Sequence, residues 1–194
     1  MTTERDPIVR FNLLWESAKK TESVDPTQMV IATATPAGIP SARYVLLKSV
    51  DERGFVFFTN YESRKASEIE SNPNVSLVMH FNTLKKQIRV EGTAMKIANA
   101  DSDTYFASRA RGRQLGAWAS SQSRPLADRN DFAEQVDIYN KRFPDQVPRP
   151  PHWGGYRVAP AAIEFWSDGD HRLHTRERFE KNDDESWTSF ELYP

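Results

Sequence analysis

The chain has 194 residues, 26 Lys and Arg against 27 Asp and Glu, a formal net charge of -1, and no cysteine. A balanced charge excludes a general nucleic-acid or membrane-surface binder, because no global positive field gathers phosphates. The lack of cysteine excludes disulfides, thiolate metal sites and thiol nucleophiles, and it suits a reducing cytosol.

The length predicts one domain over 1–194 with a real hydrophobic core. The opening Met-Thr-Thr-Glu-Arg-Asp-Pro lacks the apolar run of a signal peptide, and no stretch approaches the ~20 apolar residues of a membrane span, so a cytoplasmic protein is expected. Asp6-Pro7 opens an amphipathic helix to about Lys19, with Ile8, Phe11, Leu13, Leu14 and Trp15 at roughly helical spacing. Met29–Ala34 and Ala42–Val50 are β-rich runs on either side of the turn Pro36–Pro40 and predict a hairpin. Gly54–Thr59, Val75–His80 and Gln87–Ala94 continue the series, with a short helix near Arg64–Ser71. Short strands joined by tight turns predict an antiparallel barrel or sandwich. Asp101–Ala117 and Leu126 to about Phe143 read as helical, and Pro144–Pro151 as a connector. Gly155–Val158, Ala162–Trp166, His171–Arg176 and Ser186–Leu192 read as closing strands that return to the early ones. The expected class is mainly β with helices, the helical insertion lying at about 100–143 and the closing strands at about 155–194.

Several polar groups carry chemistry. On a strand over His171–Arg176, side chains alternate, so Arg172, His174 and Arg176 line one face as potential cations. Arg43 and Lys48, five apart, point to opposite faces of an ideal strand or flank a bulge; alone they read as solvated strand ends. Ser63-Arg64-Lys65 opens a helix, where free N–H groups and the dipole suit a phosphate, although no Gly-rich phosphate loop is present. Gln87, Gln122 and Ser123 offer amides and a hydroxyl for the edge of a planar heterocycle. Tyr105, Arg109 and Arg113 are spaced by four on a predicted helix, and that face holds a second phosphate or is simply wet. The four histidines make no metal site, and no Gly-x-Ser-x-Gly elbow exists. Hard chemistry therefore points to an organic cofactor.

These pieces, with Phe58-Thr59, Gln114–Trp118, His152–Gly155 and Glu164-Phe165-Trp166, resemble the pyridoxamine 5′-phosphate oxidases in order and spacing from Asp6 to Pro194. The resemblance implies an antiparallel, Greek-key type, FMN-binding split β-barrel, a homodimer with FMN at the interface and residues of both chains in each site. It implies FMN contacts from Arg43, Tyr44, Val45, Leu46, Leu47, Lys48, Phe58, Thr59, Arg64, Lys65, Gln87, Gln122, Ser123, Trp166 and Arg176. It further implies that Lys48, Tyr105, Arg109 and Arg113 hold the substrate phosphate. Arg172 and His174, the catalytic pair by the same resemblance, would meet the pyridine ring. The implied reaction oxidises pyridoxamine or pyridoxine 5′-phosphate to pyridoxal 5′-phosphate with O2, releasing hydrogen peroxide, and ammonia from the amine. Neither nucleic acid nor membrane is an expected partner.

Three departures concern the substrate side. The chain starts almost at the first helix, without the extension that supplies an Arg and a Tyr over the substrate in family members, so a more open site is expected. Arg113 stands where the family has a serine, and either adds a phosphate contact or crowds the pocket. Ser167 and Thr175 replace a Gln-type and an Asp-type residue, the latter removing a carboxylate near His174 and Arg176. Two alternatives accompany the oxidase reading: a phenazine-pathway type of FMN oxidase acting on another ring, and a flavin- or pyridoxal-phosphate-binding protein with little turnover.

Overall fold

The computed structural model describes residues 6–194. Helix α1 spans Pro7–Thr21; Asp6 caps it by accepting from the Ile8 N–H at 2.8 Å, and Pro7 fills the first turn, where a missing donor costs nothing. Ile8, Phe11, Trp15 and Ala18 are its buried face, and Phe11 meets the Phe55 ring edge-on at 4.9 Å, whereas Leu13 faces solvent.

The strands are β1 (Gln28–Ala34), β2 (Pro40–Asp51), β3 (Gly54–Asn60), β4 (Asn74–Phe81), β5 (Lys86–Lys96), β6 (Trp153–Ser167), β7 (Thr175–Lys181) and β8 (Trp187–Glu191). They form one sheet in the order β3-β2-β1-β4-β5-β6-β7-β8, and pairing of β3 with β6 closes the first six into an antiparallel barrel. Within it, β1–β2–β3 follow as hairpins and β4 returns beside β1, the Greek-key arrangement. Alternating residues such as Met29 and Ile31, or Leu77 and Met79, fill the interior with the apolar face of α1. Helix α2 (Arg64–Ser71) follows β3. Helices α3 (Asn99–Ala107), α4 (Arg111–Ala119) and α5 (Arg129–Arg142) lie between β5 and β6, and a second apolar cluster of Phe106, Leu115, Ala117, Val147 and Trp153 joins this helical segment to β6.

Three expectations are corrected. Gly155–Val158 and Ala162–Trp166 belong to a single 15-residue strand, β6. Pro160 is tolerated inside it because the register slips beside it, between Glu91 and Gly92, and a bulge needs no ladder donor there. A Cβ on Gly92 would stand 2.1 Å from the Ala159 carbonyl oxygen, so the close approach requires glycine.

The helix expected over Asp101–Ala117 breaks at Ser108–Ala110, which places Arg109 on a link where its N–H caps the Phe106 carbonyl at 3.1 Å.

The strand expected over His171–Arg176 is absent from its first four residues. Asp170–Arg172 form a 3-10 turn, with His171 at φ 55° and Arg172 at φ 65°, and β7 begins at Thr175. Two successive residues in the left-handed region destroy the two-residue alternation, so Arg172, His174 and Arg176 are not one stripe. Asp168-Gly169-Asp170 is the turn chemistry responsible: a Cβ on Gly169 would lie 2.2 Å from the Leu173 carbonyl oxygen.

Candidate active site

Arg43 and Lys48 point to opposite faces, as their odd spacing implies: Lys48 shares the side of Tyr44 and Leu46, and the register shift between Leu47 and Ser49 makes it the extra residue of a bulge. Arg43 turns to a polar cluster under α2: its guanidinium donates to Thr33 and Ser41 hydroxyls and lies 3.4 Å from Glu68. Glu68, buried, also accepts from Arg64 Nε at 2.8 Å and from the Thr33 and Ser41 hydroxyls. Burial alone would raise the Glu68 carboxyl, but hydrogen bonds from Ser41, Thr33 and Arg64 outweigh it and hold the group at about 2.

Lys48 instead lines a cleft of about 520 Å³ with Tyr44, Val45, Leu46, Phe58, Thr59, Lys65, Tyr105, Arg109, Arg113 and Gln122. At one group of its walls Lys65 is buried with Nζ donating to Gln122 Oε1 at 2.8 Å, Thr59 Oγ1 at 3.0 Å and Ser63 Oγ at 3.2 Å. None of these acceptors carries charge, so desolvation, aided by nearby Arg43, pulls the ammonium down to about 8. At another group, Phe58 stacks on Tyr105 at 4.0 Å and on Trp153 at 5.3 Å, and the Arg109 guanidinium lies over the Trp153 ring at 4.6 Å. Arg109 Nη1 is buried without a hydrogen-bond partner, and burial draws the group below its ordinary value. Buried donors in native proteins are almost always satisfied, so this guanidinium is arranged for an acceptor that enters the cleft. Tyr105, Arg109 and Arg113 thus converge although they share no continuous helix.

Arg43, Leu47, Arg64, Gln87, Ser123, Trp166, Arg172, His174 and Arg176 do not line this cleft. Ser123 sits in an exposed loop at φ 70°, next to Gln122. Gln87, Trp166 and Arg176 form a row, in register across β5, β6 and β7: Gln87 pairs with Trp166, and Trp166 with Arg176. Arg176 donates to buried Glu164 at 2.9 Å and to the Tyr193 carbonyl at 3.1 Å, and the His174 ring lies 4.7 Å from the Trp166 ring. One chain therefore carries two separate polar assemblies.

Three contributors escaped the sequence reading. Glu68 was signalled by its four-residue spacing from Arg64. Trp153, the platform of Arg109, is visible only once β6 meets α3. Asp168 lies 3.3 Å from His174 Nδ1, a contact that the 3-10 turn creates.

The model of the family described as Pyridoxamine 5′-phosphate oxidase matches residues 19–167, and that of the Pyridoxine 5′-phosphate oxidase C-terminal dimerisation region matches residues 153–194. The chain is 50% identical over 190 residues to a pyridoxine/pyridoxamine 5′-phosphate oxidase of Novosphingobium aromaticivorans, covering 97% of this chain and 94% of that one. With the protein of that name from Rubrobacter xylanophilus identity is 53% over 172 residues, 88% of this chain and 79% of the other. Among solved structures it resembles PhzG of Burkholderia lata, determined with tetrahydrophenazine-1-carboxylic acid, at a TM-score of 0.89 and 29% identity, over 98% and 93% of the two chains. A related FMN-binding protein of Nostoc punctiforme shares the fold at a TM-score of 0.79 and 17% identity, over 97% and 98% of the two chains. The barrel and the C-terminal dimerisation region are thus shared features, and the chain belongs to the pyridoxamine 5′-phosphate oxidase family.

Proposed function

We propose that this protein is an FMN-dependent oxidase, a single domain over 1–194 acting as a homodimer, that converts pyridoxamine or pyridoxine 5′-phosphate to pyridoxal 5′-phosphate with O2 as acceptor. Hydrogen peroxide leaves in both cases, and ammonia from the amine. The observation that carries the reading is the unpartnered, buried Arg109 Nη1 in a cleft that also presents Lys48, Arg113 and the Tyr105 hydroxyl. A phosphate monoester bears nearly two charges at neutral pH and accepts several charge-assisted bonds, which is what these groups offer. The same reading sets the enzyme in the cytoplasm, where a chain without cysteine has no disulfide to lose.

The residues present also fit FMN. Lys65, Arg64 and the N-terminus of α2 supply cations and N–H donors for its phosphate, with Thr59, Gln122 and Ser123 beside them. The β2 segment Arg43–Lys48 and Phe58 supply backbone and a flat wall. Gln87, Trp166 and Arg176 fit the cofactor from the partner subunit, because their row lies apart from the cleft of their own chain. These residues would hold FMN, which would supply the hydride-accepting and O2-reducing chemistry. The protein fixes the phosphate, excludes water from the stacked Phe58–Tyr105–Trp153 wall, and offers Arg172 and His174 to the substrate ring.

Purified protein loaded with FMN and given pyridoxamine 5′-phosphate without oxygen should bleach its flavin, and in air should form peroxide and pyridoxal 5′-phosphate. Flavin that binds and never bleaches would refute the proposal. The likeness to PhzG favours one second reading, oxidation of a phosphate-free tricyclic acid; turnover of such an acid with none of the phosphorylated substrates would establish it. Lys65 gives a pH prediction. It is charged below about 8, so FMN affinity, measured by flavin fluorescence, should fall by up to about tenfold between pH 7 and 9. In Lys65→Met this pH dependence should vanish.

A further inference from the structure

We propose that Gln114 is a positioning residue for the substrate phosphate, its side-chain amide setting the spacing of Tyr105, Arg109 and Arg113; this rests on the assignment of those three to the phosphate. They stand on three separate pieces of chain: Tyr105 on α3, Arg109 on the link Ser108–Ala110 and Arg113 on α4. A four-residue spacing no longer fixes their distances once the helix breaks, so contacts across the break must do so. Gln114 is buried near the start of α4, and its Nε2 donates back to the Phe106 carbonyl at 2.9 Å and to the Ala107 carbonyl at 3.4 Å. Among the described residues these are the side-chain hydrogen bonds that join α4 to α3.

The chemistry of the contact demands this orientation. Both carbonyls are acceptors, so only the NH2 end of the amide fits against them. They belong to the last turn of α3, where carbonyls lack helical partners. The Phe106 carbonyl also accepts from the Arg109 N–H at 3.1 Å, so one oxygen holds both the link and the head of Gln114. At the other end of the link the Ala110 carbonyl accepts from the Arg113 N–H at 2.8 Å and from the Gln114 N–H at 3.2 Å. The link is thus clamped on both sides, with the Arg109 backbone between the clamps and its guanidinium delivered onto the Trp153 ring. Phe106 and Leu115, the neighbour of Gln114, share an apolar cluster with Trp153, so the clamp and the platform of Arg109 are one packed unit. Gln114 does not line the cleft and acts through the groups it spaces. A displacement of about 1 Å at such a distant positioning contact can cost about 100-fold in rate.

The test uses the full-length, FMN-loaded protein. Gln114→Met keeps the length and bulk of the side chain and removes both donors. With pyridoxamine 5′-phosphate it should raise KM about tenfold, with kcat and FMN affinity within about twofold. Equilibrium binding of pyridoxal 5′-phosphate should weaken by the same factor. In an Arg109→Leu background the substitution should change KM by less than about twofold, because the guanidinium it places is gone. Gln114→Asn, which keeps the amide but draws it back by one methylene, is read in the same way if the methionine variant does not fold. An unchanged KM, or a full tenfold rise in the Arg109→Leu background, would overturn the inference. A loss that tracks FMN release or the melting temperature would also overturn it, by showing a merely structural role. The binding arm needs no turnover: a wild type that binds pyridoxal 5′-phosphate yet oxidises none of the phosphorylated substrates refutes the oxidase reading, while the change in binding still decides the role of Gln114.

Discussion

Arg109→Leu should lower kcat/KM for pyridoxamine 5′-phosphate by about 10²- to 10³-fold while FMN affinity stays within about twofold. The substitution keeps the apolar stem against Trp153, on whose ring the guanidinium rests at 4.6 Å, so packing is largely preserved. What disappears is the buried donor that has no partner in the protein. A cation held desolvated at a cost, and drawn below its ordinary value by burial, is useful only if an anion arrives to satisfy it. Steady-state kinetics with flavin titration separates the outcomes, and an unchanged KM would move the substrate phosphate elsewhere.

Glu68→Ala should be the most damaging change outside the cleft. It removes the common acceptor of Arg43, Arg64, Thr33 and Ser41, leaving several donors under α2 unanswered. The carboxyl sits at about 2 in the fold against an ordinary 4.5, so its contribution is present above pH 4.5 and is lost as pH falls through about 2. Discounted for the solvent around exposed Arg64, the contribution is about 2 kcal/mol near neutral pH. Thermal melts should show the variant less stable at pH 7, with the difference shrinking below pH 4. FMN affinity should fall as well, because Arg64 and Arg43 lose their anchor. A variant as stable as wild type at pH 7 would contradict this account of the cluster.

Most of the barrel was legible because strands such as β1 and β4 alternate, β3 is a continuous apolar run, and the turns carry Gly, Pro and Asn. Leu77, Met79 and Ile31 face inward as a two-residue period demands. What local pattern could not convey was where the period fails. The pairing of β2 slips at Lys48, and β6 runs unbroken past Pro160 because a second bulge accommodates it. His171 and Arg172 adopt left-handed backbone inside a run whose β-like pattern suggested a strand. Tyr105, Arg109 and Arg113 were grouped by a helical spacing that breaks at Ser108, yet all three line the cleft, Tyr105 and Arg109 packing on Trp153. Alternation along His171–Arg176 suggested one cationic stripe; instead Arg176 belongs to the row with Gln87 and Trp166, and His174 to a turn with Asp168. Strand pairing and packing of long sequence separation decided the barrel and cleft cases, and a local Gly169 turn decided the break before Thr175.

The central claim is that each active site is assembled from the cleft of one chain and the Gln87–Trp166–Arg176 row of its partner. Mixed dimers test it most directly. Arg109→Leu damages the cleft and Arg176→Leu damages the row, so each variant alone should be nearly inactive. When the two are co-expressed and assemble at random, half the dimers carry both chains, and in each of these one site is doubly altered and the other intact. The account predicts recovery to about a quarter of wild-type activity. A mixture no more active than the mean of its two parents would contradict it, and would place the cleft and the row in a site made by one chain alone.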